Sequence, residues 1–426
     1  MKLFAPALIC LGLCAGAIAA DLPGSVKDGD YRTAPEAMLK LGQLLFYDRV
    51  LSGTYRVSCA TCHNPDRASS NGFPTDHQST GQVDDGAVNG LPIYDALRPS
   101  AKHAPPLFNL GAKEFQTLFG DGRVARLSDG TFLSPAGKDL PNGLRDVLAV
   151  QALFPAVTGD ELVGTVDNDV KAVAHLGNRA IWDALADRVR DLPDYWPYFQ
   201  SAYPDIGSAR QIDMTHIANA ISAFVATEWR SDGSPFDAYM RGDDSALAAA
   251  QRRGLSLFNG KARCSSCHGG PFQTDHQFHA VATPLWRFDA DLGMSGQEMH
   301  RDRFALTGDE QDRFRRRTPS LRNVARTAPY GHAGSFATLP DMLRAHLDPQ
   351  AGLDIYFRQR PEGTPVPSEV LAIANKLLER NELDPVTLSR QEFDDLLEFL
   401  NSLTDERSLS GRLGRPTEVP SFLALD

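Results

Sequence analysis

The sequence predicts a mainly α-helical protein built from two domains. Apolar residues recur at intervals of three and four positions in several segments, as they do on one face of a helix. The alternation of apolar and polar residues that marks a β-strand is scarce. One five-residue motif occurs twice, about 200 residues apart, and 426 residues are enough for two or three domains, which favours one motif in each. The predicted helices cover residues 146–154, 170–189, 214–228, 246–258, 339–347, 369–380 and 389–403.

The repeated motif is Cys-x-x-Cys-His, found at residues 59–63 and 264–268. It is the signature of covalent haem attachment, in which two thiols add to the haem vinyl groups and the adjacent histidine binds the iron. A zinc site of four thiolates is the alternative, but it needs all four thiols to converge and leaves both histidines without a role. The predicted attachment residues are Cys59, Cys62 and His63 for one haem c and Cys264, Cys267 and His268 for a second.

A similar stretch precedes each motif. Residues 41–46 and 253–258 share helical apolar spacing and end in Leu-Phe, and a helix that leads into Cys-x-x-Cys-His is how small cytochrome c domains begin. The polar stretch 231–244 interrupts the helical pattern and predicts a domain boundary. We therefore expect a first domain at residues 21–232 and a second at 233–426, whose last helix can pack back on the first domain.

Residues 1–20 have the features of a secretory signal peptide. Lys2 supplies the positive start, residues 3–18 an apolar run and residues 17–20 a small-residue cleavage site. A membrane anchor is the alternative, but the run is short for a bilayer and is interrupted by Pro and Gly. Two of the six cysteines leave with this segment, and the other four are those of the motifs. We expect an exported protein with no membrane span after cleavage, and its formal net charge of −11 disfavours nucleic acid as a partner.

The resemblance to a known family rests on five stretches, at residues 41–63, 119–123, 151–161, 234–268 and 318–346. Together they resemble the bacterial di-haem cytochrome c peroxidase family, which includes the MauG-type oxidases that modify a partner protein. The resemblance implies two cytochrome-c-like helical domains with the haems near their interface. It also implies a periplasmic location, reached by secretion across the inner membrane, and chemistry that depends on hydrogen peroxide.

The resemblance also assigns a second ligand to the second haem iron. In the family a Pro-Tyr-x-His-x-Gly segment is followed, fourteen residues after its histidine, by this ligand, often Met and in the MauG type Tyr. Residues 329–334 match the segment, and fourteen residues after His332 stands His346. A His268/His346 pair predicts a six-coordinate, low-spin haem with a lower reduction potential than a His/Met haem. A surface histidine is the alternative for His346. The rival ligands are Met342 and, more weakly, Met294 and Met299.

The first haem iron is expected to be open or water-bound, as in the MauG type. In the resting peroxidases of the family a loop histidine caps this iron, but the corresponding residues 95–102 contain no histidine. His77 and His103 flank this loop, and we interpret each as a surface residue.

Peroxide chemistry at an open iron also needs a group that moves a proton between the two oxygens. The family supplies a Gln, a Pro four residues later and a Glu six residues beyond it, and Gln151, Pro155 and Glu161 reproduce this spacing. The resemblance thus assigns acid/base catalysis to Glu161 and orientation of the peroxide to Gln151. An exposed carboxylate at the start of a helix is the alternative for Glu161.

Between the haems, the family usually places a Trp before an Asp-Gly-Arg sequence as an electron relay. Residues 121–123 keep Asp-Gly-Arg, but Gly120 holds the Trp position. Phe119, Phe108 or direct transfer between the haem edges are the alternatives. Arg123 is a candidate for binding a haem propionate, because a guanidinium suits bidentate pairing with a carboxylate, and a surface salt bridge is its alternative.

Family members also bind calcium between the domains, through an Asn side chain and the backbone carbonyls of a Thr and a Pro. Thr327 and Pro329 match the carbonyl donors, but His103 stands at the Asn position, and hard cations prefer oxygen ligands. Asn109 lies close by in the sequence but matches a different family position. The sequence therefore leaves calcium open as an additional cofactor.

Three functions fit these residues. The leading hypothesis is a periplasmic di-haem peroxidase that reduces hydrogen peroxide with electrons delivered through the second haem by a small redox protein, a cytochrome or a cupredoxin. The second is a MauG-like oxidase that acts on a partner protein. The third is a di-haem electron-transfer cytochrome without catalysis, which predicts two saturated irons.

Overall fold

The computed structural model describes residues 22–71, 103–164, 166–284, 303–359, 363 and 365–426. The predicted signal peptide, the loop at 95–102, His77, Met294 and Met299 lie outside these residues, and the expectations about them stay predictions.

The described part of the chain is mainly helical, with fifteen α-helices and five β-strands of two or three residues, which confirms the predicted fold class. The helices are α1 Glu36–Tyr47, α2 Cys59–Cys62, α3 Val147–Ala152, α4 Asp169–Ala172, α5 Asn178–Arg190, α6 Trp196–Ala202, α7 Met214–Glu228, α8 Pro235–Met240, α9 Ala249–Asn259, α10 Arg303–Thr307, α11 Leu339–Leu347, α12 Pro349–Arg358, α13 Ser368–Glu379, α14 Arg390–Asn401 and α15 Glu406–Leu409. The strands are β1 Thr117–Leu118, β2 Val124–Arg126, β3 Phe132–Leu133, β4 Phe278–His279 and β5 Arg316–Arg317.

Several helices differ from the prediction. Helix α8 lies within the stretch 231–244, where we expected the helical pattern to be interrupted, and α6, α10 and α15 were not predicted. The predicted helix at 170–189 is divided into α4, a 3₁₀ turn and α5, because Gly177 adopts a φ of +99° that ends the turn and starts α5. Helix α12 was not predicted from apolar spacing. Pro349 lies in its first turn, where the backbone N–H that proline lacks would have no partner within the helix. The carboxylate of Asp348 caps the helix by accepting from the backbone N–H of Ala351.

Helix α1, which leads to the first motif, crosses α7 at Gly42. A Cβ atom at Gly42 would lie 1.9 Å from the backbone oxygen of Ala220, so the two backbones approach as only glycine allows. Around the crossing, the ring of Phe46 packs against Phe224 and Trp229 with centroid separations of 5.3 and 5.1 Å. These buried rings form part of the largest apolar core among the described residues.

Helix α9, which leads to the second motif, crosses α14 in the same way. A Cβ atom at Gly254 would lie 2.0 Å from the backbone oxygen of Asp395. The neighbouring Arg253 forms two hydrogen bonds with the carboxylate of Asp395, at 2.7 and 2.6 Å, and the rings of Phe258 and Phe399 pack at 5.0 Å. The similar stretches that precede the two motifs therefore make equivalent helix crossings.

The short strands bring two distant loops together. Strands β1, β2 and β3 form an antiparallel sheet, and β4 pairs with β5. The turn between β1 and β2 lies against β5, where the backbone N–H of Arg317 donates to the carbonyl of Gly120 at 2.8 Å. The position of the family's relay Trp thus contacts the segment just before Thr318 and Pro319.

Residues 411–426, which we call the strap, pack back against the first motif. The buried carboxylate of Glu228 accepts from the backbone N–H groups of Leu413 and Gly414 at 2.5 and 3.1 Å. Burial raises the pKa of Glu228, while these donors oppose the rise. Further along, the carboxylate of Asp426 pairs with Arg49 at 2.5 Å. The strap therefore fastens the end of the described chain to α1, α7 and the first motif.

Within the residues described, no helix combines the length and the apolar character that crossing a bilayer requires.

Candidate functional site: two Cys-x-x-Cys-His centres

The first motif forms the short helix α2. Ser58 caps this helix by accepting from the backbone N–H of Ala60, and the hydroxyls of Ser58 and Thr61 both donate to the carboxylate of Asp426, at 2.5 and 2.6 Å. Burial raises the pKa of the Cys59 thiol to about 12. The cap and the carboxylate thus fix the helix that presents both thiols.

His63 follows this helix, and its Nδ1 lies 3.0 Å from the carbonyl oxygen of Ser69. Burial lowers the pKa of His63, so the ring is neutral near pH 7. A neutral imidazole that donates through Nδ1 keeps its lone pair on Nε2, the nitrogen available to a metal.

The second motif repeats this arrangement with a different helix. Cys264 begins a 3₁₀ turn after Arg263, whose φ is +55°. His268 places its Nδ1 3.1 Å from the carbonyl oxygen of Gln273. Burial, and then the nearby His346, lower the pKa of His268 to about 4. The structure therefore brings His346, predicted as the second ligand, close to His268.

His346 lies near the end of α11. Its Nδ1 is 3.1 Å from the carbonyl oxygen of Met342, one turn earlier, and burial lowers its pKa. The rival ligand Met342 thus holds the His346 ring through its backbone, while its side chain packs against an apolar cluster.

The donor set fits two covalently attached haems. The four motif cysteines are free thiols. They do not converge into a four-thiol cluster, which argues against the zinc alternative: within the described part of the chain, the one group of three metal-binding side chains is Cys267, Asp275 and His279. His279 uses both ring nitrogens on carboxylates, at 2.8 Å from Asp275 and 3.1 Å from Glu382. By contrast, His63, His268 and His346 all direct Nδ1 to a backbone carbonyl, the arrangement that orients a metal-binding imidazole.

The predicted acid/base residue lies beside the first motif. Glu161 is half-buried in a short π-turn at Gly159–Val163, where its φ and ψ are −121° and −112°. Burial raises the pKa of Cys62 to about 12, and the negative charge of Glu161 contributes to the rise. Glu161 is therefore neither fully exposed nor at the start of an α-helix, and its charge lies close enough to the first motif to affect Cys62.

Gln151 lies in the last turn of α3 and is half-buried. Its backbone carbonyl accepts from the N–H of Phe154 at 3.1 Å, which leads the chain into a 3₁₀ turn at Pro155–Val157. This turn packs on the π-turn that carries Glu161. Gln151, Pro155 and Glu161 thus follow one another along a continuous folded segment.

Arg123 is engaged locally. Its guanidinium pairs with Asp121 at 2.8 Å and lies 3.7 Å from the centre of the Phe119 ring, which in turn packs edge to face with Phe154 at 6.4 Å. These contacts place Phe119 between the Gln151 segment and β5. They also leave the binding of a propionate by Arg123 a prediction.

Arg317 is a charged residue that sequence reasoning missed. Its guanidinium donates to the carbonyls of Phe119 and Thr318, each at 3.3 Å, and no ion pair of Arg317 occurs among the described residues. Burial lowers its pKa to about 10. Among the described residues, a half-buried cation held only by carbonyls is suited to an anionic group such as a propionate.

A second internal repeat was also missed. The pattern Pro-x-Leu-x-Asn occurs at residues 105–109 and 319–323, so the spacing itself was the available signal. Asn109 and Asn323 are buried and adopt φ values of +60° and +59°. The side-chain oxygen of Asn109 accepts from the backbone N–H of Ser231 at 2.7 Å, and that of Asn323 accepts from the backbone N–H of Asp405 at 2.7 Å. Each donor follows a helix that is distant in the sequence.

His103 is not the surface residue that we expected. Its Nε2 lies 3.0 Å from the hydroxyl of Ser70, and its Nδ1 is buried. Burial, and then the proximity of His63, lower the pKa of His103 to about 4, while the backbone carbonyl of Thr327 opposes this change. The ring therefore lies between the loop that follows His63 and the segment that precedes Tyr330.

Comparisons with known proteins identify the family of the chain. Residues 36–245 match the family model described as di-haem cytochrome c peroxidase. The chain is 30% identical over 368 residues to the methylamine utilization protein MauG of Methylorubrum extorquens, and the aligned region covers 86% of this chain and 78% of that protein. It is also 30% identical over 341 residues to the cytochrome c551 peroxidase of Pseudomonas aeruginosa, with 79% and 80% covered.

Solved structures give the same result. A MauG-like protein associated with microbial copper homeostasis is 28% identical, with a TM-score of 0.60 over 91% of this chain and 95% of that one. The di-haem peroxidase BthA of Burkholderia thailandensis is 22% identical, with a TM-score of 0.58 over 95% and 96%, and shares the fold. The two haem-attachment motifs and these similarities together show that the chain is an oxidoreductase of the di-haem cytochrome c peroxidase family, to which the MauG proteins also belong.

Proposed function

We propose that the chain is a periplasmic peroxidase that reduces hydrogen peroxide at the haem of the first motif, with electrons that enter through the haem of the second. The asymmetry between the motifs carries this proposal. Glu161 lies close enough to raise the pKa of Cys62, whereas His346 lies close enough to lower the pKa of His268. One motif thus has a proton-transfer group beside it, and the other has a second imidazole.

Two haem c groups, when bound, supply the redox chemistry of both centres. The chain's own contribution is to hold them through thiols and imidazoles whose Nδ1 atoms are fixed by backbone carbonyls. The residues that would hold the first haem are Cys59, Cys62 and His63, and those for the second are Cys264, Cys267, His268 and His346.

Reduction of hydrogen peroxide to two water molecules consumes two electrons and two protons. In our proposal the carboxylate of Glu161 takes the proton from the oxygen that binds and returns it to the oxygen that leaves. The carboxamide of Gln151 can both donate and accept a hydrogen bond, which suits it to orient the peroxide.

The proposed electron donor is a small redox protein, a cytochrome or a cupredoxin, that docks near the second motif. From there electrons must pass the loop at 119–123. Phe119 and Arg317 lie at this crossing, and Gly120 leaves the usual aromatic relay out. We therefore propose transfer between the haem edges past the Phe119 ring.

A second candidate, oxidation of a partner protein, is favoured by the similarity to the MauG of Methylorubrum extorquens. The same first motif and Glu161 would serve it. The difference lies in the fate of the oxidising equivalents, which a small reduced donor would consume in one case and a protein side chain in the other.

The holoprotein with both haems attached distinguishes these functions. Hydrogen peroxide is added with and without a reduced c-type cytochrome, and oxidation of the cytochrome is followed by its absorbance. Rapid, catalytic oxidation supports the peroxidase. Slow oxidation of the cytochrome, with the peroxide-treated state persisting, supports the protein-modifying oxidase. A holoprotein inert to peroxide would overturn both.

We also propose the domain division at residues 21–232 and 233–426 and export to the periplasm after removal of residues 1–20. One apolar core gathers around α1 and α7, and another around α9 and α14, which supports this division. The strap then crosses back from the second domain to the first.

A further inference from the structure

We propose that His103 takes the place of the calcium ion expected from the family resemblance, so that this residue, through its ring and its backbone, rather than a metal joins the loop behind His63 to the Thr327–His332 segment. The inference concerns how the two halves of the molecule are held together and does not depend on the reaction. It follows from the position of one side chain between two loops.

The first contact joins His103 to the loop behind the first motif. Its Nε2 lies 3.0 Å from Ser70 Oγ, and this hydroxyl also lies 2.9 Å from the carbonyl oxygen of Ala104. The preceding residue, Ser69, accepts from His63 Nδ1 through its carbonyl and receives the N–H of Leu107 on its hydroxyl. The His103 ring therefore lies directly behind the residues that orient His63.

The second contact joins His103 to the segment that carries the expected calcium ligands. The backbone N–H of His103 donates to the carbonyl of His332 at 3.2 Å, while the buried ring Nδ1, on the side of Thr327, makes no hydrogen bond within the described residues. Thr327 is itself fixed, because its hydroxyl donates to the carbonyl of Val324 at 3.1 Å. His103 thus contacts both the loop behind His63 and the Thr327–His332 segment.

The donor set at this position does not suit calcium. Ca²⁺ takes six to eight oxygen ligands, and an imidazole nitrogen is a poor substitute. Asn109, the nearest alternative amide, is already committed, since its oxygen accepts from the Tyr31 hydroxyl at 2.9 Å and from the Ser231 N–H at 2.7 Å. His103 instead links the two segments without a metal, because its Nε2 pairs with the Ser70 hydroxyl and its backbone N–H donates to the His332 carbonyl.

The test is a gain of metal binding. The purified holoprotein is treated with a calcium chelator, dialysed and titrated with Ca²⁺ by calorimetry, with thermal unfolding measured in parallel. We expect no stoichiometric calcium in the wild-type protein and no shift of its melting temperature. His103→Asn restores the family's oxygen ligand beside the Thr327 and Pro329 carbonyls, and this variant should bind about one Ca²⁺ and melt several degrees higher with calcium than without it.

Two results would overturn the inference. Stoichiometric calcium in the wild-type protein would show that the ion and His103 coexist. Failure of folded, haem-loaded His103→Asn to bind calcium would show that His103 does not occupy the ion's position. His175→Asn, on an exposed turn, is the matched control and should not respond to calcium.

A spectroscopic readout separates positioning from simple stabilisation. Because His103 supports the loop that holds His63, His103→Ala should shift the ferric EPR signal of the first haem and leave that of the second unchanged. Equal changes in both signals, or none, would contradict a specific link to His63.

Discussion

The two Cys-x-x-Cys-His motifs share the hydrogen bonding of their histidines but differ in the side chains that lie nearby. Both histidine rings donate through Nδ1 to a backbone carbonyl, and a Pro-x-Leu-x-Asn segment lies near each motif. His268 has His346 nearby, whereas the first motif has Glu161 close to Cys62. We propose that the shared hydrogen bonding helps to hold a haem at each motif, and that the differing side chains decide whether that haem serves electrons or peroxide.

The largest effect is expected from Glu161→Gln. Removing the acid/base group should lower peroxide turnover by about 10²–10⁴-fold, because proton transfer typically contributes that much. The rate of peroxide-dependent oxidation of a reduced cytochrome measures it, and the second haem's spectrum should not change. Glu36→Gln, on the exposed start of α1, is the control. Unaltered turnover in the Glu161 variant would remove this residue from the chemistry.

His346→Met should make the second centre resemble the His/Met haems. The thioether raises the reduction potential, by a part of the roughly 0.8 V range over which axial ligands tune haem. A potentiometric titration that resolves the two haems measures the shift, which should be confined to the second. If the second haem of His346→Ala still shows a bis-imidazole spectrum, His346 is not the ligand.

Because the two helix crossings are equivalent, adding a methyl group at either glycine should lower the free energy of unfolding by a similar amount. Gly42→Ala and Gly254→Ala would each place a Cβ about 2 Å from a backbone oxygen, and overpacking of this kind destabilises by about 1–3 kcal/mol or more. Denaturant unfolding of the holoprotein measures this cost. Gly24→Ala, where no atom lies within 4 Å, should be nearly neutral. A neutral result at either crossing would break the equivalence.

The smallest effect is a pH dependence near the second motif. Burial alone would lower the pKa of His279, but hydrogen bonds to Asp275 and Glu382 raise it above its ordinary value of 6.5. Because the folded-state pKa is the higher one, this stabilisation is complete below pH 6.5 and is lost as the pH rises through the raised value.

Solvent screening limits this contribution to about 1 kcal/mol or less. The unfolding free energy of His279→Gln should therefore fall below that of the wild-type protein at pH 5 and approach it at pH 8. His175→Gln, on an exposed turn, should show no such trend. A gap that widens with rising pH would contradict the sign.

The sequence predicted the parts of this molecule that depend on local pattern. Helical spacing gave the fold class, while the attachment residues that the two motifs indicate stay a prediction. The family spacing placed His346 near His268, and the similar stretches before the motifs proved to share a glycine crossing. These features depend on short-range periodicity or on a fixed number of residues, both of which are visible in the sequence.

What the sequence could not predict depends on residues that meet only in the fold. The strap reaches Ser58 and Thr61 from more than 350 residues away. Arg317 has no ion pair within the described residues, and the half-buried His103 lies between two loops that are remote in sequence. Gly177 divides a predicted helix because its φ is positive, a property that apolar spacing does not report.

The most direct test of unequal centres is the EPR spectrum of the ferric holoprotein before peroxide is added. We expect one high-spin signal from an open first haem and one low-spin signal from a second haem bound by two imidazoles. Peroxide should alter the first signal at once. Two low-spin signals that peroxide leaves unchanged would contradict the division of roles between His63 and His268.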